Sequence, residues 1–196
     1  MNFETLAITE SDGVAHIELN RPDKANAMSG TMWKDMRSAF DWLSSSRARV
    51  GVLSARGKYF TAGIDLDLLA ALRSEITSLP AGRSQELLRE KIVELQMAIS
   101  AAESCTKPIL AAIHGACIGG GVDLVTACDM RYATQDAVFS VKEIDLAIVA
   151  DLGTLQRLPT LIGEGLAREL AFTGREFDGN EAHGMKLVNR VFPDKD

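Results

Sequence analysis

The sequence predicts an α/β fold, and three observations carry that expectation. Short apolar runs of strand length alternate with longer segments of helical period. Residues 7–10 and 14–20 form two strand-like runs about an Asp12-Gly13 turn. Leu88, Ile92, Leu95, Ile99 and Ala102 recur at steps of four and three, which gives one apolar helix face.

The elements follow in order. Asn20-Arg21-Pro22-Asp23-Lys24 reads as a turn, because proline fixes its own φ and restricts Arg21. Ser29 is a cap for a helix running to Leu43, with Met32, Met36, Phe40 and Leu43 on one stripe. Residues 50–53 read as a short buried strand. Residues 74–82, with Ser78, Pro80 and Gly82, read as the least ordered segment. Ser84 then opens the long helix, which Lys107-Pro108 ends. Residues 109–113 read as a central strand, followed by a helix at 120–128 and strands at 130–133 and 138–141. Helices at 154–162, 165–172 and 180–185 precede a last strand at 187–192. No repeat, linker or low-complexity tract divides the chain, so one domain over residues 1–196 is expected.

Composition sets bounds. The 196 residues are 46% hydrophobic and 24% charged, enough for a core of ordinary size. A net charge of −6 without a basic block argues against nucleic acid as a partner. It leaves room for an anionic small ligand held at a helix N-terminus or by a few cations. No apolar run has the length of a membrane span, so no membrane partner is expected. Met1-Asn2-Phe3-Glu4-Thr5 lacks a basic region followed by an apolar one, and Asp194-Lys195-Asp196 is no known address tag. A cytoplasmic location is therefore the default expectation. Cys105, Cys117 and Cys128 form no C-x-x-C pair and read as small core residues, with no metal site.

The familiar cofactor motifs are absent. Leu124 stands where a dinucleotide loop needs its last glycine, and no Lys-Ser or Lys-Thr follows Gly115 to complete a phosphate loop. There is no G-x-S-x-G elbow and no H-E-x-x-H pair. His114, at a strand end, reads as structural. What remains is Gly119-Gly120-Gly121 running into Asp123, with Glu143 and Asp151 among apolar neighbours. Buried carboxylates are costly unless paired or hydrogen-bonded. Three of them after a glycine run that exposes backbone N–H groups point to proton transfer beside an oxyanion.

Plainer readings exist for each. The glycines allow tight helix–strand packing. Asp151 is a candidate N-cap for the helix starting near Gly153. Glu143 beside Lys142 is a candidate exposed pair of little energetic value. Asp123 is a candidate solvated helix residue. Asp65, Asp67, Asp129 and Asp145 read as caps or surface charges.

Taken together, several segments resemble the enoyl-CoA hydratase/isomerase, or crotonase, superfamily. They are Asn20-Arg21-Pro22-Asp23-Lys24-Ala25-Asn26-Ala27, Lys58-Tyr59-Phe60-Thr61-Ala62-Gly63-Ile64-Asp65-Leu66, and Lys107-Pro108-Ile109 onward through Gly119-Gly120-Gly121. Asp129-Met130-Arg131-Tyr132-Ala133 and Leu155-Gln156-Arg157-Leu158-Pro159 follow the same pattern. The resemblance covers nearly the whole chain. It implies a spiral of ββα units lacking the family's usual C-terminal helical region, since members continue for several helices beyond the segment matching residues 191–195.

The resemblance also implies roles. The amides of Ile64 and Gly120 form the oxyanion hole, with Gly121 adjacent. Lys24, Ala25 and Ala27, together with Ala62, Gly63, Asp65, Leu66 and Gly121, lie along the CoA thioester. Family hydratases pair two glutamates where this chain has Asp123 and Glu143. The extra Asp151 resembles the branch that converts 3,5-dienoyl-CoA to 2,4-dienoyl-CoA in fatty acid beta-oxidation. In that reading Glu143 takes the α proton, Asp151 protonates the ε carbon and Asp123 supports the charge pattern. The alternatives are hydration of a 2-enoyl-CoA, or a non-catalytic CoA-binding or assembly subunit. No cofactor is implied beyond coenzyme A as part of the substrate. The implied assembly is a homotrimer or hexamer when the C-terminal region is present, and the loop over residues 69–84 is expected to shape the acyl pocket.

Overall fold

The computed structural model describes residues 3–195; Met1, Asn2 and Asp196, weighed above as chain-end signals, lie outside them. Strands β1 (Leu6–Ser11) and β2 (Val14–Leu19) pair antiparallel about Asp12 and Gly13. Both turn residues have positive φ, 53° and 80°, the geometry that matches a hairpin's twist. Helix α1 (Gly30–Ser45) starts where the Ser29 hydroxyl accepts from Met32 N–H. It buries Met32, Met36, Phe40 and Leu43, the stripe expected from the spacing, and Trp33 and Ala39 besides.

The main sheet continues through β3 (Val50–Ala55), β4 (Ile109–Ile113), β6 (Met130–Thr134) and β9 (Arg190–Phe192). Its order is β1-β2-β3-β4-β6-β9, parallel from β2 onward. A second, three-stranded sheet joins β5 (Ala116–Ile118), β7 (Val138–Ser140) and β8 (Phe177–Asp178). Besides α1, which crosses from β2 to β3, the connecting helices are α2 (Leu66–Thr77), α3 (Ala81–Glu103), α4 (Gly120–Thr126), α5 (Thr154–Ile162), α6 (Glu164–Thr173) and α7 (Gly179–Gly184). The α/β expectation holds. Among the described residues no helix is long and apolar enough to cross a membrane.

Two local expectations need correction. The stretch 69–84 is not a loop: α2 runs to Thr77 and α3 begins at Ala81, so only residues 78–80 interrupt the helices. Helix α2 has no buried residue, and its Leu66, Leu69 and Leu72 face a cavity instead of the core. Without a buried stripe the helical period carried little signal, and Ser78 and Pro80 dominated. The strand β5 inside the glycine-rich run was also missed, because three residues are too few to show a period. Cys117 and Cys128 are buried, as expected of core residues, whereas Cys105 is only half-buried; all three are free. His114 is nearly buried and contacts the Gly57 carbonyl at 3.0 Å, a structural tie.

Candidate active site

Three segments meet beside the second sheet. The turn after β2 is held left-handed at Ala25 and Asn26, with φ of 49° and 52°. Asn26 is buried and secures this turn, accepting from Arg21 N–H and donating to the Arg56 and Tyr59 carbonyls. Residues 61–65 then zip against it. Ala62 N–H donates to Ala25 O at 2.9 Å, Met28 N–H to Gly63 O at 2.8 Å, and Asp65 N–H to Met28 O at 3.1 Å. The third segment is the start of α4, where Gly119 N–H donates to Ser140 O at 2.9 Å.

Among the described residues the Ile64 and Gly120 N–H groups are not spent on the turn, loop and cap bonds around them. The two glycine stretches touch: a Cβ placed on Gly63 would lie 2.7 Å from the Ile118 carbonyl oxygen and 3.7 Å from Gly120 N. Gly63 also has a φ of 89°, where side chains are strained. Gly63→Ala is therefore expected to cost about 2–4 kcal/mol of stability, read as a lower urea midpoint. An unchanged midpoint would show that the strand at Ile118 yields easily. Gly121 serves packing: a Cβ there would sit 2.5 Å from Thr61 Cγ2. For that glycine the packing reading applies, beside any role of its neighbour Gly120.

These segments wall a cavity of about 720 Å³. Ala27, Ala62, Gly63, Ile64, Asp65, Leu66, Gly119 and Gly120 lie along it, and so do all three acids, Asp123, Glu143 and Asp151. Lys24, Ala25 and Gly121 do not line it. Lys24 is exposed on the turn, and Ala25 acts through its carbonyl bond to Ala62. Asp65 caps α2 by accepting from Asp67 N–H and pairs with Arg21 at 2.9 Å. The hydrogen bond from Arg21 holds the Asp65 carboxyl below its ordinary pKa. The other end of the cavity is apolar, with Leu72 from α2 and Leu88, Ile92 and Leu95 from α3. The long helix stripe thus splits: Ile99 and Ala102 go to the core, and the earlier positions face the cavity.

The plainer readings of the acids do not hold. Asp123 is fully buried, not solvated. Its Oδ1 accepts from Thr154 N–H at 2.7 Å, while Oδ2 has no partner among the described residues. Asp151 is not the cap of α5; that position is Gly153, with no side-chain cap bond, and Asp123 satisfies the first N–H from across the fold. Lys142 pairs with Asp145 at 2.7 Å and not with Glu143. Glu143 instead turns inward, where its Oε2 is buried and has no partner among the described residues. A Cβ on Gly119 would meet Glu143 Oε1 at 3.0 Å, so the glycine makes room for the carboxylate.

Burial sets the protonation of this cluster. It pushes Glu143 up to about 7, and the charge on Asp123 adds to the effect. Burial likewise pushes Asp123 up to about 6, against the hydrogen bond from Thr154 that favours its ionised form. Asp151 is raised by burial as well. Charges this close titrate as a set. A carboxyl whose folded pKa is raised contributes stability that is complete below its unfolded pKa and is lost as pH rises through the folded one. Stability is therefore expected to fall as pH rises from about 4 to about 7. Each pH unit of displacement is worth about 1.4 kcal/mol. Calorimetry across that window should show a flatter profile for Glu143→Gln; parallel profiles would remove Glu143 from the account.

Over residues 9–196 the sequence matches the family described as enoyl-CoA hydratase/isomerase. The chain belongs to that family. Family relatives include the peroxisomal Delta(3,5)-Delta(2,4)-dienoyl-CoA isomerase of Arabidopsis thaliana, 49% identical over 99% of this chain. The mitochondrial protein of the same name from Homo sapiens is 48% identical over 100% of it. The chain spans 72% of the length of the first and 60% of the second. Among solved structures, enoyl-CoA hydratase from Bacillus anthracis superposes with a TM-score of 0.85 at 32% identity, covering 97% of this chain and 70% of its own. A putative enoyl-CoA hydratase from Thermobifida fusca, solved in complex with acetoacetyl-CoA, gives 0.85 at 31%, covering 97% and 74%. The crotonase architecture expected from the motifs is thus the one observed.

The cytoplasmic expectation is overturned. Enoyl-CoA hydratase/isomerase relatives at 48–49% identity are named peroxisomal or mitochondrial. The default rested on finding no leader pattern at residues 1–5 and no address tag at residues 194–196, and an absence of that kind assigns no compartment.

Proposed function

We propose that this chain carries a dienoyl-CoA isomerase site, shifting the double bonds of a 3,5-dienoyl-CoA to the 2,4 positions. The observation that supports it most is Asp151 on the wall of the cavity that also holds Glu143 and Asp123. One base cannot easily serve both ends of a rigid conjugated diene, and two carboxyl groups can. The Cα–H bond breaks and its proton goes to Glu143 carboxylate. The dienolate oxygen is met by the Ile64 and Gly120 N–H groups. The Asp151 O–H bond then breaks as a C–H bond forms at Cε, leaving Glu143 protonated and Asp151 ionised. The proton must return to Asp151 before the next turnover. A Glu143 carboxyl near 7 is suited to accept, and burial of Asp151 favours the acid form it needs.

The apolar leucines and isoleucine from α2 and α3 suit a fatty acyl chain. The thioester itself is the electron sink, so we propose no metal or redox cofactor. A homotrimer or hexamer is the assembly we infer; Phe172 of α6, 75% exposed, and Leu155 of α5, 39% exposed, line one hollow and support an apolar surface available for association.

Hydration of a 2-enoyl-CoA is the second reading, favoured by one observation: Asp123 and Glu143 each keep a buried oxygen without a partner among the described residues. One assay separates the readings. Conversion of 3,5-dienoyl-CoA creates a conjugated thioester and a new ultraviolet band. Hydration removes the band of a 2-enoyl-CoA, and binding without either change marks a non-catalytic subunit. Isomerisation is expected to persist unchanged in a chelator; loss that zinc or magnesium restores would overturn the metal-free mechanism.

A further inference from the structure

Asp151 lies at the end of an exposed stretch. Residues 144–149 are all exposed, and only Ala150 beside it is buried. No hydrogen bond or ion pair joins the Asp151 carboxylate to another residue's side chain among the described residues. Its hydrogen-bonded anchors are therefore those of its backbone. That backbone is tied to α3. Gln96 Nε2 donates to the Asp151 carbonyl at 2.6 Å, across 55 residues of sequence. The next residue, Leu152, is held from the same hollow. Arg157 donates to the Leu152 carbonyl at 3.3 Å, and its guanidinium is fixed to α3 through Glu103 at 2.6 Å and Ser100 at 3.4 Å. Gly153 makes room for it, since a Cβ there would overlap Arg157 Nη1.

We infer that Gln96 is a positioning residue for the distal proton donor: through the Asp151 carbonyl it holds that carboxyl at the ε-carbon end of the bound diene. The inference rests on the isomerase reading. Gln96 itself does not line the substrate cavity; it lines a separate polar hollow on the far side of Asp151, with Ser100, Glu103 and Arg157. Its amide therefore acts through the loop and not on the substrate. Small displacements of a reacting group cost rate steeply, about 100-fold for about 1 Å. Abstraction of the α proton by Glu143 uses neither Gln96 nor Asp151, so the two half-reactions should respond differently.

The test compares Gln96→Met, which keeps the side-chain length and loses the donor, with wild type and Asp151→Asn. Two rates are followed in deuterated solvent: isomerisation and exchange of the α proton. Gln96→Met is expected to lower the kcat of isomerisation about 10- to 100-fold, with KM and α-proton exchange within about 3-fold of wild type. Amide hydrogen exchange at residues 151–153 should quicken at least about 10-fold, with β4 unchanged. Equal losses in both rates would mark a general structural role and overturn the inference, as would an unchanged isomerisation rate or unchanged exchange at residues 151–153. If Asp151→Asn itself isomerises normally, the isomerase reading of Asp151 fails first, and the Gln96 inference falls with it. If Asp151→Asn is inactive while Gln96→Met is normal, only the inference is lost.

Discussion

Asp151→Asn is expected to abolish conversion of a 3,5-dienoyl-CoA while leaving exchange of its α proton with solvent largely intact. The amide is nearly isosteric but has no proton of suitable acidity to deliver to carbon, so the distal step stops. General acid catalysis of this kind contributes about 100- to 10,000-fold, and the loss should fall in that range or beyond it. The proximal step is untouched, because Glu143, Ile64 and Gly120 remain in place on the cavity wall. Folding should survive: the Asp151 side chain neither caps α5 nor pairs with another residue, and the Asp151 carbonyl bond to Gln96 is a backbone contact. Deuterium incorporation at the α carbon, measured beside the ultraviolet change, separates the two steps. Normal isomerisation in the variant would move Asp151 out of the mechanism and make the Asp123–Glu143 hydratase reading the stronger one.

Glu143→Gln has the opposite signature. No dienolate forms without the base, so isomerisation and α-proton exchange should disappear together, each by about 1,000-fold or more. The same substitution should raise stability at neutral pH. Burial pushes the Glu143 carboxyl up to about 7, which means its ionised form is disfavoured inside the fold. A neutral amide removes that cost, although it must find partners for its own N–H groups. An inactive protein with a higher melting temperature near pH 8 is therefore the expected pair of results. Retained exchange would pass the role of base to Asp123, whose Oδ2 is also buried and unpartnered.

Much of the scaffold was legible because it rests on short-range chemistry. The Asp12-Gly13 turn, the Ser29 cap and the α1 stripe each depend on residues within a few positions of one another. The glycines at 63 and 119–121 were legible too, since close backbone approach leaves no substitute for a missing Cβ. Helix α2 was not, because its leucines line a cavity and no stripe marks a buried face.

The sequence by itself determined which chemistry was available: three carboxyl groups in apolar settings and two glycine segments able to free backbone N–H groups. Tertiary structure alone decided where each acid sits and what it bonds. Asp123 reaches the first N–H of α5 across 31 residues, and Gln96 reaches the Asp151 carbonyl across 55. The same tertiary packing turned Glu143 inward while Lys142 paired with Asp145. The physical reason is range. Turns, caps and periodic faces are set by neighbouring residues, whereas burial and hydrogen-bond partners depend on which distant segments the fold brings together. Those distant segments set the desolvation that moves a carboxyl's pKa, so proton-transfer roles emerge only once the chain is folded.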